Sequence, residues 1–160
     1  MSPRAASSPS SLVAALTEHA KGWSHVSLVP HPPRAVAFRI GEAPIGVLHP
    51  DGLLEIPVPA PIHTVLVDED LAGRHPARPG DEWVVASLHE DDDLAPTVLL
   101  LRLSYLYRRL LRSRDPAVLD RIRGEVLHHD LPEALTAVYE AMLAKRSPLP
   151  RPGTTPRGGA

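Results

Sequence analysis

The chain has no cysteine. Disulfide frameworks, thiolate nucleophiles, Cys-ligated zinc and iron–sulfur clusters are therefore excluded, and any metal would need histidine and carboxylate ligands. Aromatic residues are nearly as scarce, 4% of the chain against 43% hydrophobic overall. The core must then be filled by Leu, Val, Ile and Ala. No apolar run reaches the length of a membrane span, and Met1 to Ser11 carries no signal-peptide core. The expected location is the cytoplasm, with no membrane partner. With a net charge of -2, there is no global basic field to draw in nucleic acid. The familiar catalytic fingerprints are also missing. Ser104 lies in no GxSxG turn, no Gly-rich loop follows a strand, and no dinucleotide fingerprint appears. Hydrolase, kinase and Rossmann readings thus lack support, and no cofactor is expected.

What is abundant is proline, nineteen residues in a chain of 160, crowded at both ends and in the middle, where it opposes long helices and continuous sheets. The length suits one core. Residues 1–10 and 147–160, rich in Ser, Pro, Gly and Ala, read as disordered tails. Leu12, Ala15, Leu16 and His19 recur at helical spacing before Gly22, which predicts a helix over about 10–21. Short Val/Ile/Phe-rich stretches follow at Trp23 to Val29, Ala35 to Ile40, Ile45 to Leu48 and Leu53 to Ile56. They are separated by the turns Gly41-Glu42-Ala43-Pro44 and His49-Pro50-Asp51-Gly52, the pattern of an antiparallel meander. Ile62, Val65 and Leu66 suggest one short helix. Trp83 to Leu88 reads as a later strand after the turn Pro79-Gly80-Asp81.

The second half reads as helical. Asp92 or Asp93 can cap a long helix over about 94–112, with Leu99, Leu103, Leu106 and Leu110 on one stripe. Asp115-Pro116 opens another over about 116–127, and Asp130 to Glu133 is a capping signature for a last one over about 131–146. The expected fold is α+β: an N-terminal helix, a small antiparallel sheet of four to five short strands, one long packed helix and two further C-terminal helices. Residues 11–112 form the domain and 113–146 a helical extension.

Candidate chemistry is sparse. His49 and Asp51 share a turn, and a histidine with a carboxylate is a serviceable acid–base pair; the structural alternative is that Asp51 and Gly52 simply make the turn. His75 and His89 flank the Trp83 strand and could join His49 around a metal, but no spacing forces ligation, so no metal site is assigned. His128-His129-Asp130 falls between two helices and is read as an interhelix turn. Arg102, Tyr105, Arg109 and Arg112 share one stripe of the long helix, where arginines with a tyrosine suit a phosphate or carboxylate. The surrounding arginines lack interleaved aromatics and a helix-turn-helix pattern, so nucleic acid is not expected as a partner.

Three stretches carry a resemblance: Ile45-Gly46-Val47-Leu48-His49-Pro50-Asp51-Gly52-Leu53-Leu54-Glu55-Ile56-Pro57, then Trp83-Val84-Val85, then Leu100-Leu101-Arg102-Leu103-Ser104-Tyr105-Leu106. In order and spacing they resemble the luciferase-domain family of short bacterial proteins, over roughly residues 23–107. The resemblance singles out His49, Asp51, Gly52, His75, Trp83, Arg102, Ser104 and Tyr105, and its order of elements is similar to the MmcQ/YjbR type of small α+β domain. It does not imply light emission, because nothing here forms a flavin site and the barrel of bacterial luciferase needs far more chain. The resulting expectation is a binding or protein-interaction domain with ligand-binding residues His49, Asp51, His75, Trp83, Arg102 and Tyr105. The rival is an enzyme in which His49 and Asp51 do acid–base work and Arg102 holds an anionic substrate. A third expectation is a protein partner or a second copy docked through the C-terminal helices. The sequence names no ligand.

Overall fold

The computed structural model describes residues 6–78, 80 and 82–147. The chain runs α1 (Pro9–Lys21), β1 (Val26–His31), β2 (Ala35–Ile40), β3 (Ala43–Leu48), β4 (Leu53–Pro57), α2 (Ala60–Asp68), β5 (Gly73–Arg74), β6 (Trp83–Ser87), a single 3-10 turn (Asp91–Asp93), α3 (Leu94–Arg112), α4 (Pro116–His128) and α5 (Glu133–Arg146). This is the expected α+β architecture. The sheet has six strands in the order β1-β2-β3-β4-β6-β5, every pair antiparallel. The strand beyond the expected four to five is β5, two residues long and too short to leave a periodic signal.

Strand alternation sorts the sheet into two faces. Phe38 pairs with Gly46, Leu48 with Leu54 and Ile56 with Val84. These residues point toward the helices and, Gly46 aside, join the main core with Leu101, Leu103 and Leu106 of α3. Gly46 lets α3 approach, because a Cβ there would lie 2.6 Å from a methyl of Leu101. The opposite parity, Ala37, Val47, Glu55, Val85 and Gly73, runs in register across the far face. Ala35, Ala37 and Val47 form a separate small buried cluster there.

Several sequence expectations change at their edges. Trp23 to His25 are not strand; β1 begins at Val26, and His25 takes a left-handed φ of 68°. The Trp23 ring instead packs 5.3 Å from that of Tyr105. Leu103, Leu106 and Leu110 are buried as the stripe requires, whereas Leu99 is only half-buried and lines a surface cleft. Asp93 stands at the N-cap position of α3 but makes no side-chain cap there; its carboxylate reaches back to the N–H groups of His89 and Glu90 at 2.9 Å each, as the third residue of a capping box on the preceding 3-10 turn. Asp115 caps α4 by accepting from Ala117 N–H at 2.9 Å. Asp130 does not cap α5: it sits at φ 51° in the turn, and α5 opens after Pro132 with no side-chain cap. The first helix starts at Pro9, inside the span read as a tail; residues 1–5 and 148–160 of the two tails, and Pro79 and Asp81 of the turn before Trp83, lie outside the described residues.

The C-terminal helices spend their apolar stripe on the domain itself. Leu135, Tyr139 and Leu143 of α5 are fully buried, and the Tyr139 hydroxyl donates to Leu103 O at 2.6 Å. Burial drives the Tyr139 phenol far above its ordinary pKa, so it stays a neutral donor.

Candidate functional site

The far face of the sheet carries one carboxylate, and two imidazoles meet on it. Glu55 sits in the middle of β4 between Leu54 and Ile56, so alternation that buries those two against α3 aims Glu55 away from the core. His75 lies just after β5, and its Nε2 is 2.6 Å from Glu55 Oε2. His49 closes β3 and reaches Glu55 Oε1 with its own Nε2. The side chains of His75, Glu55 and His49 are 8%, 13% and 30% exposed. Of the three, His49 is the one solvent reaches best.

The protons can be placed. Burial works against ionising Glu55, but the hydrogen bonds from His49 and His75 outweigh it and hold the carboxyl below its ordinary value of 4.5. An ionised carboxylate only accepts, so both Nε2 atoms donate. His75 Nδ1 in turn accepts from the N–H groups of Ala77 and Arg78 at 3.1 and 3.0 Å. Its ring is therefore fixed as the Nε2–H tautomer, a strut between the loop and Glu55 with no lone pair left to offer. His49 has no such second anchor. Donation from Nε2 leaves its Nδ1 without a hydrogen-bond partner among the described residues, the arrangement of a base oriented by a carboxylate. Beside them the Arg78 guanidinium lies 4.3 Å above the Trp83 ring, with Nε 3.9 Å from Glu55 Oε2.

Asp51 plays another part. Its Oδ1 accepts from Leu53 N–H at 3.1 Å, and Gly52 follows at φ 93°. It shapes the turn that holds His49, and the carboxylate that the His49 ring meets is that of Glu55. Gly52 is itself dictated by space, because a Cβ there would collide with Leu88 O.

Arg102 and Tyr105 lie elsewhere, on the helical side. Arg102 donates to both oxygens of Glu125 in α4, from Nε at 2.7 Å and from a terminal nitrogen at 2.5 Å. Its guanidinium stacks on Trp23 and Tyr105, 4.9 and 4.4 Å from the ring centroids. The hydrogen bonds it donates to Glu125 hold Arg102 more firmly protonated despite burial. Burial works against Glu125 ionising, yet Arg102 and His129 keep its carboxyl below the ordinary range. The Tyr105 hydroxyl is used, donating to Ser24 O at 3.0 Å. Buried Ser104 donates to Pro57 O at 3.0 Å and ties α3 to β4. The structure thus joins His49, His75 and Trp83 on one face and Arg102 with Tyr105 on the other.

Glu55, Arg78, Trp23 and Glu125 are the residues that sequence reasoning missed. For Glu55 a signal existed: a lone acid between two apolar residues of a strand, inside the stretch that carries the resemblance. Among the described residues no group of three His, Asp or Glu side chains is placed to hold a metal ion. The spent lone pair of His75 is a physical reason.

These features define the chain as a small α+β domain whose sheet presents a carboxylate between two imidazoles. Residues 42–104 match the family model described as the Luciferase domain, so the resemblance read from the sequence is borne out over that segment, which includes His49, Glu55, His75, Trp83 and Arg102. No curated protein and no solved structure shows a significant match to the chain. No helix among the described residues is long and apolar enough to cross a membrane.

Proposed function

We propose that this is a small-molecule binding domain whose ligand meets the far face of the sheet at His49, with Glu55 and His75 holding that imidazole in place and Trp83 with Arg78 forming one wall. The observation that supports this is the pair of imidazoles on one mostly buried carboxylate. A fold gains little from gathering three titratable groups on a strand that could carry an apolar residue, whereas orienting a base requires such a cluster. The ligand offers a hydrogen-bond donor to His49 Nδ1. If the domain is an enzyme, His49 is the general base and Glu55 its orienting carboxylate, in place of Asp51, and Arg102 has no part at that centre. An assembly role for the C-terminal helices draws no support from their packing, since α5 turns Leu135, Tyr139 and Leu143 into its own domain.

Native mass spectrometry of protein from its own host, for wild type, His49→Ala and Asp51→Asn, tests the reading. A retained small molecule lost in His49→Ala and kept in Asp51→Asn supports it. One retained equally by all three lies elsewhere and defeats it.

A further inference from the structure

A second site lies on the helical side, built mostly by residues outside the segment that matches the family model. Two cavities meet there. The first, ≈ 750 Å³, runs between the end of α1, the first half of α3 and the end of α4; Trp23, Leu94, Val98 and Leu99 give it an apolar stretch of wall, and His19, Asp91 and His129 also line it. The second, ≈ 480 Å³, continues along α3 and α4 and is lined by Arg102, Arg109, Arg121 and Glu125, three cations against one anion. Arg102 and Glu125 belong to both, so the apolar trough opens directly onto the basic end. Both volumes fall in the range of small-molecule sites, roughly 300–1,000 Å³.

The charges at this junction are not equivalent. Arg102 and Glu125 satisfy each other, and His129 Nε2 adds a contact to Glu125 Oε2 at 3.1 Å. Arg109 and Arg121 have neither a hydrogen bond nor an acidic partner among the described residues. Two unpaired guanidinium groups beside an apolar trough form an anchor for an anion that carries an apolar body. The stacked Trp23, Arg102 and Tyr105 side chains give the junction a stiff floor.

We infer that this cleft binds a free amphiphilic anion, a molecule with one apolar chain and one anionic head. The chain lies against Leu94, Val98, Leu99 and Trp23, and the head meets Arg109 and Arg121. The site is separate from the His49 face and does not depend on it.

Isothermal titration calorimetry of the full chain with decanoate tests this. Decanoate binds the wild type and His49→Ala alike, while decyltrimethylammonium, with the same chain and the opposite charge, does not bind. Replacing both arginines (Arg109→Gln, Arg121→Gln) weakens decanoate by about tenfold or more, the scale of losing charge-assisted contacts. Should the double variant unfold, Arg121→Gln alone, at an exposed position, weakens it in the same direction. No decanoate binding, equal binding of the cation, or unchanged affinity in folded variants overturns the inference. Sedimentation with phosphatidylglycerol vesicles, without binding of monomeric decanoate, also overturns it, in favour of a membrane surface.

Discussion

Replacing Glu55 by glutamine tests the proton placement at the His49 site more sharply than removing a side chain. Glutamine keeps the size and offers one oxygen and one NH2 group where glutamate offered two acceptors. His75 cannot adapt, because its Nδ1 is committed to the N–H groups of Ala77 and Arg78 and its Nε2–H must still donate. The glutamine oxygen therefore turns toward His75, and its NH2 faces His49 Nε2. His49 can answer only by exchanging tautomer, so that Nε2 accepts and Nδ1 carries the proton. Long-range proton–nitrogen correlation spectra distinguish the two forms directly. For stability, a hydrogen bond to a charged group is worth ~1.5–3 kcal/mol and a neutral one ~0.5–1.5 kcal/mol. Two such exchanges, offset in part by the burial cost that the carboxylate no longer bears, leave a loss of about 1–2 kcal/mol at pH 7. Urea titrations of both proteins measure it. The carboxyl of Glu55 is held below its ordinary value of 4.5 in the fold, so its stabilisation is complete above about that pH and is lost as pH falls through the lower folded value. The stability curves of wild type and variant therefore converge in acid. A variant with unchanged stability and the wild-type tautomer at His49 would refute the arrangement.

Other outcomes follow from single positions. Gly52→Ala combines a φ of 93° with a Cβ driven into Leu88 O, and a strained backbone alone costs ~1–3 kcal/mol; urea denaturation should show a loss at the top of that range. Gly124→Ala is its opposite, since nothing lies within 4 Å of a Cβ there and alanine is favoured over glycine in a helix by ~1 kcal/mol, so the midpoint should rise. Leu103→Asp puts a carboxylate into a site 1% exposed; circular dichroism should show the folded state lost at 25 °C, and retained melting would overturn the orientation of α3. Tyr139→Phe removes the buried hydroxyl bond to Leu103 O and should lower stability by about 1 kcal/mol in the same titration.

The sequence was most readable where signals are local. The bounds of α3 fall where the acidic run and the stripe Leu103, Leu106 and Leu110 put them, and Asp115-Pro116 marks the start of α4, because caps and helical periodicity are properties of adjacent turns. The antiparallel meander was legible for the same reason, since Gly41 at φ 59° and Gly52 at φ 93° mark its turns. The site partners were not legible. Glu55 meets His75 twenty residues on, and Arg102 meets Glu125 twenty-three residues on. Which pairs meet is decided by sheet register and helix packing, which a single sequence does not specify. His49 and Asp51, close in the chain, were read as a pair on proximity alone. In the turn that brings them together Asp51 accepts from Leu53 N–H, while the His49 ring meets Glu55.

The scarcity of aromatics sharpens the reading of both sites. The chain has two tryptophans, and neither lies in the fully buried core, which is closed by aliphatic residues with Phe38 and Tyr139. Each tryptophan instead stands half-exposed under an arginine that also approaches a glutamate: Trp83 under Arg78 beside Glu55, and Trp23 under Arg102 beside Glu125. Each of these glutamates also accepts from histidine, His49 and His75 in one case and His129 in the other. A core that needs no indole, in a chain with so few rings, argues that the two indoles were placed for what happens at the surface. There a flat apolar face beside a fixed charge suits contact with a ligand better than contact with water. The sheet keeps the two clusters apart, so a ligand at one leaves the other free.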